Sequence, residues 1–154
     1  LCWIWGRLLG FSSKYPLGTY IGCEPNKTTF NELLELRDII ISNSDVKKEQ
    51  IKLYNCKWED FKYNGDYDLV FTSIPYYDTE IYYNQSEYFT YNDIDDWKNT
   101  FISTFYNYKN VFINMDMNTY DKLNLDSDIL YKLSNNTSHF NKNTKTKCEL
   151  IVKI

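Results

Sequence analysis

The stretch that most constrains this chain is Asp68-Leu69-Val70-Phe71-Thr72-Ser73-Ile74-Pro75-Tyr76-Tyr77-Asp78. A short apolar run that stops at small polar residues, followed by a proline and two aromatics, predicts a buried strand that delivers a rigid loop to the edge of a sheet. The proline fixes φ, removes a donor and holds the residue before it extended, so that carbonyls and ring faces project outward. Such a loop makes a floor for a flat ligand with polar edges.

The rest of the chain supplies an α/β pattern around that strand. Residues 3 to 10 suggest a turn entering a short helix, and Thr19 to Glu24 alternate into a strand that ends on an acid. Thr29 and Glu32 form a capping-box pattern, and Phe30, Leu33, Leu34, Arg37, Ile40 and Ile41 recur at helical spacing. Ile51 to Tyr54 is a further strand, followed by the acidic loop Trp58-Glu59-Asp60-Phe61. Gly65 could close a hairpin there, but the long polar insert favours a crossover. An aromatic segment over residues 82 to 89 lacks clean periodicity and reads as a lid or surface excursion. Asn92 can cap a helix carrying Trp97, Phe101, Phe105 and Tyr108 on one side. Val111 to Asp116 is a strand, residues 118 to 134 a helix, and Glu149 to Ile154 a closing strand. Short apolar strands alternating with helices predict one α/β domain over residues 1–154 with a mostly parallel sheet.

Composition narrows the function. A net charge of -4 over 154 residues argues against a protein coated with basic surface, and Arg7 and Arg37 are its only arginines. Abundant Tyr, Asn, Lys and Ile fit an AT-rich coding sequence, so clusters of Asn or Tyr carry little weight. The four cysteines, Cys2, Cys23, Cys56 and Cys148, form no C-x-x-C pair. They read as buried free thiols of an intracellular, soluble protein, with disulfides or zinc as alternatives. No run is long and apolar enough for a membrane span, and none has the pattern of a signal peptide.

Thr72-Ser73-Ile74-Pro75-Tyr76 resembles the (Asp/Asn/Ser)-Pro-Pro-(Tyr/Phe) motif of S-adenosylmethionine-dependent DNA amino-methyltransferases, with Ile74 at the first proline position. Gly6-Arg7-Leu8-Leu9-Gly10 is similar to the end of the glycine-rich cofactor turn of a phage- and virus-like branch, although Trp3 and Trp5 stand where that branch has glycines. The resemblance implies a Rossmann-like methyltransferase sandwich lacking its first strand and a target-recognition domain. It places Gly6 at the cofactor, Glu24 on the ribose hydroxyls, Glu59 or Asp60 on the adenine amino group and Phe61 on the adenine ring. Ser73, Ile74, Pro75 and Tyr76 form the target-base pocket.

The chemistry so implied is methyl transfer from S-adenosylmethionine to adenine N6 or cytosine N4, with DNA as partner and no metal. Hydrogen bonds from the exocyclic amine to Ser73 Oγ and the Ile74 carbonyl would localise its lone pair, while Tyr76 stacks on a base swung out of the duplex. Two alternatives stay open: a degenerate remnant that keeps the fold and a binding role, and a methyltransferase of protein or RNA.

Overall fold

In the computed structural model of the chain, the structure describes residues 2–73, 94–125, 127–134 and 148–154. These fall into two compact units, Leu1–Tyr63 and Asn64–Ile154. The α/β expectation holds, but the strands form two sheets, one parallel and one mixed.

The first unit contains α1 (Cys2–Lys14), β1 (Tyr20–Cys23), α2 (Lys27–Asn43) and β2 (Ile51–Tyr54). The turn expected within residues 3 to 10 is instead helix, and Gly6 and Gly10 lie inside α1. Strands β1 and β2 pair in parallel, from Tyr20 opposite Ile51 to Cys23 opposite Tyr54. Helices connect them, as parallel pairing requires. Leu8, Leu33, Ile40, Val46 and Ile51 form the core, with Tyr20, Leu36 and Leu53 packed against it. Gly22 is needed on β1, because a Cβ there would come within 2.9 Å of the Tyr20 ring and 3.2 Å of Leu53. Helix α2 starts earlier than the Thr29–Glu32 pattern predicts. Its N-cap is Asn26, whose side chain accepts a hydrogen bond from the Thr29 amide at 3.0 Å, satisfying one of the donors that every helix start leaves over.

In the second unit β3 (Val70–Ser73), β4 (Val111–Asp116), β5 (Asp128–Ser134) and β6 (Cys148–Lys153) form a sheet of order β3-β4-β6-β5. Strand β3 is parallel to β4, so no hairpin forms at Gly65, while β6 runs antiparallel to both neighbours. One face is closed: Val111, Ile113, Met115, Leu150 and Val152 are each fully buried. Each such side chain contributes about 1.5–3 kcal/mol relative to exposure.

Between β3 and β4 the chain is helical through α3 (Ile94–Trp97), a π-helical turn (Lys98–Ile102) and α4 (Ser103–Phe105). Trp97, Ile102 and Phe105 are all buried. An unbroken α-helical ladder would rotate Ile102 well away from Trp97, at about 100° per residue. The wider turn returns it to the same side.

Helix α5 (Met117–Leu123) is capped at its start by the Asp116 side chain, which accepts from the Thr119 amide at 2.7 Å. It ends at Asn124 in the left-handed region, φ 46°. The helix expected over residues 118 to 134 therefore covers only its first part. Ile129, Leu130 and Leu133 belong to β5, where pairing with β6 overrides their helical spacing.

Among the described residues, no helix is long and apolar enough to cross a membrane. No group of three or more His, Cys, Asp and Glu among them could hold a metal ion.

Candidate functional site

In parallel α/β sheets, ligands bind beyond the carboxyl ends of the strands, where helix and loop termini leave polar groups pointing outward. The described residues present two such ends, one in each unit.

At the end of β1 and β2 the backbone continues one step past the strand, since the Glu24 amide donates to the Tyr54 carbonyl at 3.0 Å. Glu24 is buried, only 6% exposed. Its Oε1 accepts from the Asn26 amide at 2.7 Å. Burial raises its pKa, and the Asn26 hydrogen bond partly opposes the rise. Asn55 braces this corner from the other strand, its Nδ2 donating to the Glu24 carbonyl at 2.8 Å and to the Pro25 carbonyl at 3.0 Å. The carboxylate thus has a fixed backbone on both sides.

Past β2 the chain turns through Trp58, Glu59 and Asp60, and the Phe61 amide closes the turn on the Trp58 carbonyl at 3.1 Å. Phe61 lies at the centre of an aromatic group. Its ring is 5.1 Å from Tyr54, 6.1 Å from Trp58 and 6.2 Å from Tyr63, nearly parallel to the last. Glu59 is half-buried and Asp60 exposed. The structure therefore brings Glu24 and the Phe61 loop to the ends of two adjoining strands. Gly6 is placed differently. It lies within α1, and a Cβ built on it would meet nothing within 4 Å, so no close backbone approach explains the glycine.

In the second unit Ser73 is the last residue of β3 and lies in register with Asn114 of β4. Partners in register share a face, so the Ser73 and Asn114 side chains stand side by side. Asn114 is only 7% exposed, and among the described residues its Oδ1 has no hydrogen-bond partner. An unsatisfied buried acceptor costs about 1–3 kcal/mol. Ile74, Pro75 and Tyr76, and the tyrosines at 82, 83, 88 and 91, lie outside the described residues.

Three contributors were hidden in the sequence: Asn26, Asn55 and Asn114. Asparagine is so common here that composition conceals it. The available signal was position, since each stands within two residues of a strand end or at a helix cap.

No protein-family model, curated protein or solved structure matches this chain.

Proposed function

We propose that the chain is an S-adenosylmethionine-dependent methyltransferase domain of the DNA amino-methyltransferase type, Rossmann-like in fold, acting on adenine N6 or cytosine N4. The observation that carries the reading is the end of β1 and β2, where a buried carboxylate follows one strand and an aromatic group follows the other. That pairing suits a nucleoside: Glu24 accepts hydrogen bonds from vicinal ribose hydroxyls, and the Phe61 ring supports the adenine face. The acids Glu59 and Asp60, in the turn before Phe61, can accept from the adenine amino group.

S-adenosylmethionine supplies an electrophilic methyl group when bound. The chain's own contribution is positioning. Ser73 Oγ, at the end of β3, accepts from the exocyclic amine of the target base, with the Ile74 carbonyl as second acceptor and Tyr76 as stacking partner. Hydrogen bonds donated by the amine to those acceptors localise on nitrogen the lone pair otherwise delocalised into the ring, which makes the amine a better nucleophile.

The test is calorimetric titration of the folded chain with S-adenosylmethionine and with its demethylated product, followed in parallel by Trp58 fluorescence. Saturable binding, weakened by Glu24→Ala, supports the reading. Transfer of labelled methyl to duplex DNA then supports the substrate, whereas label appearing in RNA or protein reassigns it. A folded chain that binds neither compound up to millimolar concentration overturns the enzyme reading.

A further inference from the structure

At the same end of the first unit, two cysteines meet. Cys23 closes β1 opposite Tyr54 of β2, and residues in register lie on one face of the sheet. Cys56 follows two residues beyond Tyr54, at a bend in the chain. The Asn55 hydrogen bonds to the Glu24 and Pro25 carbonyls fasten this bend against the end of β1. The Cys56 side chain lies near enough to Cys23 to help raise the pKa of its thiol, after the larger effect of burial. Both thiols are free and half-buried, so a small reagent can reach them.

We propose that Cys23 and Cys56 form a dithiol site that closes to an internal disulfide by exchange with a low-molecular-weight disulfide such as glutathione disulfide. The proposal is independent of the methyltransferase reading. In the first step the Cys56 thiolate attacks one sulfur of glutathione disulfide, that S–S bond breaks, and one glutathione thiolate departs. In the second, the Cys23 thiolate attacks the Cys56 sulfur of the mixed disulfide and the second glutathione departs. Two protein thiols are oxidised, one glutathione disulfide is reduced to two glutathione molecules, and the two protons released by the cysteines end on the departing thiolates. The order follows from the surroundings. Burial, and then the neighbouring Cys56, push the Cys23 thiol above its ordinary range, so Cys23 keeps its proton and acts second.

Elsewhere in the chain, Cys2 opens α1 and Cys148 opens β6. They serve as internal controls. The full chain, at mildly alkaline pH, is incubated with glutathione disulfide, quenched by alkylation and analysed by thiol count and peptide mass mapping. The expected result is rapid loss of two of the four thiols and a Cys23–Cys56 cross-linked peptide in monomeric protein. In urea the ratio of internal to mixed disulfide should fall at least about tenfold, because the two thiols lose their shared location. Cys23→Ser should trap glutathione on Cys56. Cys56→Ser should leave Cys23 reacting at least about tenfold more slowly than Cys56 does in Cys23→Ser. A folded chain that accumulates only mixed disulfides, or that bridges either cysteine to Cys2 or Cys148, overturns the proposal.

Discussion

The strand ends in the two units handle buried polarity in opposite ways. After β1, every element around Glu24 is fastened: its carboxylate to the Asn26 amide, its carbonyl to Asn55, its amide to Tyr54. After β3, Ser73 stands beside Asn114, whose Oδ1 is buried with no partner among the described residues. The first end is a preorganised acidic corner braced by its own hydrogen bonds. The second keeps an acceptor at a standing energetic cost, which a donor from a ligand would relieve. A fixed corner suits a ligand held by its invariant part, and an unsatisfied acceptor suits one recognised at the reacting group.

The comparison can be broken or sharpened by substitution. The largest effect is expected away from both ends, at Ile113→Ala in the fully buried centre of β4. It should cost about 2–5 kcal/mol, read as a lowered urea midpoint. Amide exchange should accelerate in β3 to β6 and leave β1 and β2 protected if the two units have separate stabilities. On the proposed reading Glu24→Ala removes a carboxylate acceptor for the ribose, and S-adenosylmethionine affinity should fall about 10- to 100-fold by calorimetry. An unchanged affinity would take Glu24 out of the site.

Asn114→Leu replaces the orphaned acceptor by an apolar group of similar size. It should stabilise the second unit by about 1–3 kcal/mol in urea unfolding, whereas a loss of stability would mean that the amide is satisfied in solution. Asn55→Ala should cost about 1–2 kcal/mol and raise amide exchange at Asn26, with little change in the second unit.

The smallest effect is one of pH. Burial raises the Glu24 pKa in the folded chain, so the folded state binds more protons than the unfolded one. Its contribution is therefore fully present below the unfolded carboxylate value and is lost as pH rises through the folded one. Glu24→Gln keeps the acceptor for Asn26 without the charge. It should be the more stable protein above that window and equal to the parent below it, in urea midpoints taken across acidic to neutral pH.

How much of this was legible beforehand depended on the kind of signal. Strands β1, β2 and β4 were visible because apolar residues stop abruptly at polar ones, as at Cys23-Glu24 and Met115-Asp116. β5 was not. Ile129, Leu130 and Leu133 fit a helix as well as a strand, and only the left-handed Asn124 and the partner strand β6, distant in sequence, decide between them. Glu24 and Phe61 could be singled out as candidates because each stands in a stretch that resembles a family motif. Asn55 could not, since its role is set by a carbonyl across the sheet, and Asn114 gains meaning only from its register with Ser73.

The π-helical turn at Lys98–Ile102 bears on the history of the second unit. Take one residue out between Trp97 and Ile102, and the three buried side chains fall four and seven positions along an ordinary α-helix, all on one stripe. The turn is thus equivalent to a single-codon insertion absorbed by a regular amphipathic helix. Deleting one residue between Trp97 and Ile102 should therefore leave Trp97, Ile102 and Phe105 on one buried stripe, read as an unchanged urea midpoint.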